Sequence, residues 1–209
     1  MKVLPHALLI GNGPEVPPQL LQAEAAKAQL LIAADGGADT ALNAGLMPDV
    51  VIGDLDSVST QAKRKLSCAQ WIFVDNQNNT DLEKALDYLL SLRCKCCTLI
   101  GFSSGRMDFT LGNLLATSRY VNKMELCVIG NGWKIYPIHK RKTFETRPGA
   151  RVSLLPISRC HGVSLQGLKY PLQQASLTLG TTRTLSNQAV KNRFTVSLRQ
   201  GKLLVYLED

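Results

Sequence analysis

The chain has 209 residues, 45% of them hydrophobic, and a formal net charge of +8 at pH 7. This length accommodates one large domain or two small ones. Because no apolar run approaches the ~18 residues of a membrane span, we expect a cytoplasmic protein without a membrane partner. Because the basic residues are scattered and only 6% of residues are aromatic, without the alternation that base stacking needs, we expect no nucleic-acid partner.

Short apolar runs alternate with helix-length segments over the first 132 residues. The runs are apolar throughout, as strands buried on both faces of a parallel sheet are. Strand–helix alternation of this kind predicts an α/β domain with a Rossmann-like, doubly wound sheet of about six parallel strands. The predicted strands are 7–13, 30–37, 49–54, 71–75, 97–101 and 126–132, and the predicted helices are 16–28, 37–45, 59–67, 81–92 and 107–120.

The pattern changes after residue 132. Many short apolar segments separated by Gly, Pro and Ser predict a small antiparallel β-sandwich. Residues 194–198 and 203–207 alternate apolar and polar on either side of Gln200 and Gly201, which predicts a hairpin with one buried face. The predicted domains are therefore an α/β domain over 1–132 and a β-sandwich over 133–209.

Four consecutive predicted strands end in acidic and glycine-rich segments. Ligands of parallel α/β sheets bind outside the carboxyl ends of the strands, so these segments would share one rim. Aspartate and glycine are also common in turns and helix caps, but their repetition at one edge favours a ligand site. The segments are ADGGAD, GDLDS, DNQNNTD and GFSSGRMD.

This rim would combine carboxylates with basic side chains. TDLEKAL contains a capping box formed by Thr80 and Glu83. When this motif stands alone, an intrahelical ion pair explains the spacing of Asp81 and Lys84 as well as a ligand site does. Carboxylates hold hard cations through oxygen, while Lys and Arg neutralise phosphate. The rim therefore favours Mg²⁺ and a polyphosphate, and its members are Asp35, Asp54, Asp56, Asp81, Asp108, Lys84 and Arg106.

Several segments, in this order and spacing, resemble the thiamin pyrophosphokinase family: ADGGAD, PDVVIGDLDSVS, QNNTDLEKAL and GRMDFTLGNLL. GLKYPL (167–172) and LSNQ (185–188) are similar to the second domain of that family, so the resemblance covers essentially the whole chain. It implies transfer of the diphosphoryl group of ATP to the hydroxyl of thiamin, giving thiamin diphosphate and AMP, with Mg²⁺ as cofactor.

The resemblance also implies a homodimer, with thiamin bound between the α/β domain of one chain and the sandwich of the other. It implies a role for each matching residue. The catalytic residues would be Asp54, Asp56, Asp81 and Asp108, with Asp54, Asp56 and Asp81 holding the metal; Asp35, Gly36, Gly37, Thr80, Lys84 and Arg106 would lie along ATP; Gln77, Ser186 and Asn187 would contact thiamin.

One position departs from the family pattern, and alternatives stay open. Animal members carry a tryptophan near the final strand that stacks on thiamin, whereas this chain has Val205 there, with Trp133 and Tyr206 as candidate substitutes. A diphosphokinase acting on a pterin alcohol would share the ATP rim. A phosphohydrolase of the aspartyl-phosphate type would share the apolar strand followed by two aspartates. A non-catalytic nucleotide-sensing or nucleic-acid-binding module is supported only by the net charge of +8.

Overall fold

A computed structural model describes residues 4–14, 16–103 and 105–209. The chain divides into two compact units, the first made of Met1–Ala116 and Lys123–Asn131, the second of Thr117–Asn122 and Gly132–Asp209. Within the described ranges, no helix has the length and apolar character needed to cross a lipid bilayer.

The first unit contains six parallel strands in the order β6-β5-β1-β2-β3-β4. This arrangement confirms the predicted α/β class. The strands are β1 (His6–Ile10), β2 (Leu30–Ala34), β3 (Val50–Gly53), β4 (Gln70–Phe73), β5 (Cys96–Ile100) and β6 (Glu125–Gly130), and the helices are α1 (Pro18–Ala25), α2 (Gly37–Asn43), α3 (Thr60–Lys65), α4 (Asp81–Ser91) and α5 (Met107–Thr117).

The centre of this sheet is buried on both faces, which explains its uniformly apolar sequence. Residues Ala7 to Ile10 of β1 are completely buried. One cluster of buried side chains includes Leu8, Ile10 and Leu21, and another includes Val51, Ala62 and Leu66. Burying a side chain such as leucine or isoleucine stabilises the fold by ~1.5–3 kcal/mol. A polar residue at every second position of these strands would therefore lower the free energy of unfolding.

The strand order reverses beside β1, because β2 pairs with one of its edges and β5 with the other. The loops that follow β1 and β5 meet there, with the Gly11 amide donating to the Ile100 carbonyl at 2.8 Å. A Cβ on Gly101 would lie 2.4 Å from the Gly11 carbonyl oxygen, and Gly101 has φ +79°. The two loops therefore approach this closely because these positions lack side chains.

The second unit is an antiparallel sandwich, as predicted. One sheet has the order β12-β9-β14-β7 and the other β11-β10-β13-β8. Buried side chains from both sheets form one core, including Val152, Val205, Val163 and Phe194. The strands are β7 (Trp133–Ile138), β8 (Lys142–Glu145), β9 (Arg151–Pro156), β10 (Cys160–Gln166), β11 (Leu172–Leu177), β12 (Asn187–Gln188), β13 (Arg193–Ser197) and β14 (Leu203–Glu208).

The predicted hairpin over 194–207 is wrong. Strand β13 pairs with β10 and β8, whereas β14 pairs with β7 and β9. The turn at Gln200 and Gly201 thus carries the chain from one sheet to the other. Alternation indicated correctly that Phe194, Val196, Leu203 and Val205 face the core, but both sheets share that core, so the pattern could not select the pairing partner.

Candidate active site

A cavity of about 230 Å³ lies at the carboxyl ends of β1, β2 and β5, beside the reversal of strand order. Ligands of open α/β sheets bind at such crevices. Helix α2 begins directly at this site, and a Cβ on Gly37 would lie 2.1 Å from the Ile10 carbonyl oxygen. The cavity is lined by Gly11, Asn12, Gly13, Ala34, Asp35, Gly36, Thr80, Asp81, Leu82, Gly101, Phe102, Phe109 and Asn113.

Three carboxylates meet at the edge of this cavity. Asp35 follows β2, Asp54 follows β3 and Asp81 opens α4, and one oxygen of each lies within 4.8 Å of those of the other two. Such proximity of like charges is unfavourable unless a cation or donors compensate it. Oxygen donors of this kind are the ligands that Mg²⁺ prefers, so the donor set fits a hard divalent cation.

Asp35 is the most constrained member of the acidic cluster, defined as Asp35, Asp54 and Asp81. Its side chain is buried, and Oδ1 has no hydrogen-bond partner among the described residues. Burial raises the pKa of Asp35 above its ordinary value; hydrogen bonding to Ser57 and to the Gly36 backbone opposes this rise without outweighing it, and the charges of Asp81 and Asp54 add to it. Its backbone has φ 44°, in the left-handed region. A buried carboxylate oxygen without a donor is what a bound cation would satisfy.

Lys84 partly compensates the acidic cluster. Its ammonium lies 2.9 Å from Asp81 Oδ1 and 3.8 Å from Asp54 Oδ2, and its side chain is 3% exposed. Burial alone would lower the pKa of Lys84, but the hydrogen bond to Asp81 and the surrounding carboxylate charges outweigh it, so this pKa is raised. Lys84 therefore remains charged, and the i,i+3 ion pair weighed from the sequence is present.

The start of α4 holds this arrangement in place. The Thr80 hydroxyl accepts a hydrogen bond from the Glu83 amide, and the Glu83 carboxylate accepts one from the Thr80 amide at 3.1 Å. The capping box predicted from TDLEKAL is thus confirmed. Because it determines where the first turn of α4 begins, it sets the positions of Asp81 and Lys84.

Two of the predicted catalytic aspartates lie outside the acidic cluster. The exposed Asp56 carboxylate accepts a hydrogen bond from the Ser57 hydroxyl at 2.9 Å. Asp108 forms a two-pronged pair with Arg106, at 2.6 and 3.2 Å, and this hydrogen bonding lowers the pKa of Asp108. Both side chains of the pair are exposed, and the Arg106 guanidinium lies 4.3 Å from the Phe109 ring centroid.

The residues implied for thiamin fall in both units. Gln77 is exposed in the turn before α4, within the first unit. Ser186 and Asn187 belong to the second unit, where Ser186 is exposed with φ 55° and Asn187 is buried. Val205, at the position of the family's tryptophan, is completely buried in the sandwich core.

Among the cavity residues that sequence reasoning did not name as site residues, four carry a polar or aromatic side chain: Asn12, Phe102, Phe109 and Asn113. Asn12 lies between Gly11 and Gly13 at the end of the predicted strand 7–13, and this strand-end position was the available signal. Asn113 donates from Nδ2 to the Phe102 carbonyl at 3.1 Å. Phe109 and Asn113 are four residues apart on α5 and so share one helix face. That this face borders a cavity is visible only in the tertiary structure, where both residues line it.

Comparison with known proteins identifies relatives of both units. The family described as "Thiamin pyrophosphokinase, catalytic domain" matches residues 21–128. The family described as "Thiamin pyrophosphokinase, vitamin B1 binding domain" matches residues 137–203. The first match covers more than half of the chain and includes every member of the acidic cluster.

Individual relatives agree with these matches. The chain is 31% identical over 183 residues to thiamine pyrophosphokinase of Bacillus subtilis, covering 84% of this chain and 86% of the relative. The crystal structure of thiamine pyrophosphokinase from Bacillus subtilis superimposes with a TM-score of 0.87 at 27% identity, over 97% of this chain and 98% of that one. Thiamin pyrophosphokinase from Candida albicans, at 18% identity, shares the fold with a TM-score of 0.83, over 98% and 89%.

Proposed function

Because the chain belongs to the thiamin pyrophosphokinase family, we propose that the acidic cluster is where its reaction takes place. The enzyme transfers the diphosphoryl group of ATP to the hydroxyl of thiamin and releases AMP. The observation that carries the proposal is the convergence of Asp35, Asp54 and Asp81 around buried Lys84 at the strand ends. The relatives do not favour a pterin diphosphokinase or a phosphohydrolase.

We propose Mg²⁺ as the cofactor, held by Asp35, Asp54 and Asp81. Support comes from the unpartnered buried Oδ1 of Asp35 and from the three oxygens within 4.8 Å of one another. When bound, the cation neutralises phosphate charge and polarises the reacting oxygens. Asp56, which the resemblance assigns to the same metal, would act from the exposed loop after β3, beside Asp54.

The chain's own groups would position the polyphosphate. Lys84 is held at a defined point by Asp81 and Asp54, so its charge is ordered before ATP arrives. Residues of the glycine-rich loops after β1 and β2 line the same cavity, where the lack of side chains would let a phosphate approach the backbone closely. Arg106 and Asp108, at the start of α5, would act at its outer side, in keeping with their implied roles.

The reaction is a displacement at the β-phosphorus of ATP. The thiamin hydroxyl oxygen forms a bond to that phosphorus, the bond to the α–β bridging oxygen breaks, AMP leaves and the hydroxyl proton is released. Little covalent chemistry is required of the protein, so positioning and charge stabilisation account for most of the catalysis. Gln77, Ser186 and Asn187 stand as the residues proposed for the thiamin end.

We also propose that the enzyme is a homodimer. The α5 stripe, made of Met107, Leu111 and Leu115, is 75%, 56% and 41% exposed. These residues are spaced four apart and so form one continuous apolar face. An exposed apolar face of this kind is typical of an association surface. The cytoplasmic location expected from the sequence stays a prediction.

The test is incubation with ATP, Mg²⁺ and thiamin, followed by chromatography of nucleotides and thiamin species. Equal amounts of AMP and thiamin diphosphate would support the proposal. ADP with thiamin monophosphate would overturn the site of attack. Turnover only with a pterin alcohol would overturn the substrate assignment while leaving the ATP rim intact, and phosphate release without an acceptor would indicate a phosphohydrolase.

A further inference from the structure

The second unit contains a cavity of its own, with a volume of about 510 Å³. It includes Ser186 and Asn187, the residues implied for thiamin, together with an exposed aromatic ring that the resemblance does not assign. Its lining residues are Gly149, Arg151, Lys169, Tyr170, Ser186, Asn187, Gln188 and Glu208.

The side chain of Asn187 is already engaged within the protein. Its Oδ1 accepts from the Tyr170 amide at 3.0 Å and from the Gln188 amide at 2.8 Å, and its Nδ2 donates to the Tyr170 carbonyl at 2.7 Å. Both lone pairs of the amide oxygen are used, and the residue is 4% exposed. Asn187 is thus suited to hold the backbone of Tyr170 rather than to bind a ligand directly.

Further backbone pairing holds the same segment. The Lys169 amide donates to the Gln188 carbonyl at 2.8 Å, the Val190 amide donates to the Gly167 carbonyl at 3.0 Å, and Leu168 bridges to Ala189. Segment 167–170 is therefore anchored along its length to segment 187–190. This anchoring fixes the backbone from which the Tyr170 side chain projects.

Despite its anchored backbone, Tyr170 is 61% exposed. The Lys169 ammonium lies 5.6 Å from its ring centroid, so only part of the ring surface is covered by the protein. Aromatic rings bind aromatic heterocycles by stacking and attract cations at their faces. Because the backbone of Tyr170 is already anchored, only its side-chain torsions lose conformational freedom when a ligand binds to the ring.

The other candidates for an aromatic contact are engaged elsewhere in the unit. Val205 is completely buried and offers no ring. Trp133 stacks on Tyr206, with centroids 6.4 Å apart, and neither of these residues lines the cavity. Of the residues that line it, Tyr170 is the one with an aromatic ring.

We propose that Tyr170 contacts the heterocycle of thiamin and that Asn187 is a positioning residue that supports it. This inference rests on the proposed function. The cavity also supplies two groups suited to the polar edge of an aminopyrimidine, the Ser186 hydroxyl and the Glu208 carboxylate. The Glu208 carboxylate accepts a hydrogen bond from the Arg151 amide at 3.2 Å. Tyr170 would then determine affinity for the acceptor substrate without taking part in phosphoryl transfer.

Steady-state kinetics of full-length variants tests this inference. Tyr170→Ala should raise the KM for thiamin about tenfold, because one aromatic stack and its buried area are lost, while kcat and the KM for ATP stay within about twofold. Tyr170→Phe keeps the ring and should resemble wild type. Asn187→Ala should also raise the KM for thiamin, and calorimetric titration of thiamin without ATP should show the same loss of affinity.

Leu179→Ala is the matched control, since Leu179 is 71% exposed in the same unit and does not line the cavity. It should leave all constants unchanged. Should Tyr170→Ala fail to fold, Tyr170→Leu keeps apolar volume without an aromatic face and should show the same rise in KM. Unchanged thiamin affinity in a folded Tyr170→Ala enzyme would overturn the inference and leave the function standing. A wild-type enzyme that makes no thiamin diphosphate would instead overturn the proposed function.

Discussion

Replacing Asp35 with asparagine should stabilise the protein at neutral pH and remove most of its turnover. Asp35 is 7% exposed, one carboxylate oxygen has no partner among the described residues, and oxygens of Asp54 and Asp81 lie within 4.8 Å. Asparagine has the same shape as aspartate and tolerates the left-handed backbone at φ 44°. The substitution therefore removes a buried charge without creating a cavity or backbone strain.

The magnitude follows from the cost of burying an unsatisfied polar group, about 1–3 kcal/mol. Asparagine still places a polar atom at the position of Oδ1, but it carries no charge. We therefore expect a gain of about 1 kcal/mol in the free energy of unfolding when no divalent cation is present. For a chain of 209 residues, this gain corresponds to a rise in Tm of about 2–4 °C.

The stability difference between Asp35→Asn and wild type should depend on pH in one direction. Burial and the neighbouring carboxylates raise the pKa of Asp35 in the folded state, so the folded wild-type protein binds a proton more readily than the unfolded chain. As the pH falls through this raised pKa, the wild-type carboxyl becomes neutral and its penalty disappears. The advantage of Asp35→Asn should therefore be largest near neutral pH and shrink as the pH falls toward the ordinary carboxyl value of 3.8.

Urea unfolding followed by circular dichroism, in EDTA and in Mg²⁺, measures these effects. Asp75→Asn is the control, because Asp75 is an exposed carboxylate in the same unit and should change stability by less than about 0.5 kcal/mol. Mg²⁺ should stabilise wild type by mass action and should stabilise Asp35→Asn much less. A variant less stable than wild type in EDTA, or equal stabilisation of both proteins by Mg²⁺, would refute the reasoning.

Three further predictions concern the rim, α4 and α5. Asp56→Asn should reduce turnover by orders of magnitude with an unchanged circular dichroism spectrum, and a wild-type rate would remove Asp56 from the proposed metal site. Thr80→Ala loses the hydroxyl that caps α4 and should cost about 1 kcal/mol in urea unfolding, whereas Thr80→Ser should retain most of it; equal losses would argue against the cap. Leu111→Glu places a charge in the α5 stripe and should convert the dimer to monomer in sedimentation velocity, and a dimer that persists would place the interface elsewhere.

Local patterns in the sequence were sufficient for much of the fold. Uniformly apolar strands predicted the parallel sheet, and the spacing of Thr80 and Glu83 predicted the capping box of α4. These features depend on residues close in the chain, through side-chain periodicity and helix-end hydrogen bonding. The acidic ends of successive strands indicated a rim for the same reason, since strand direction places them at one edge.

Other features required the tertiary structure. Alternation along residues 194–207 identified their buried faces but not the sheets to which they belong, because both sheets of a sandwich bury side chains in one core. The resemblance assigns the metal to Asp54, Asp56 and Asp81, which stays a prediction, whereas the proximity of Asp35 to Asp54 and Asp81 depends on how β2, β3 and α4 pack. Likewise, Asn187 is engaged by a backbone segment 17 residues away. Sequence periodicity determines which way a side chain faces, whereas its neighbours depend on how distant segments pack.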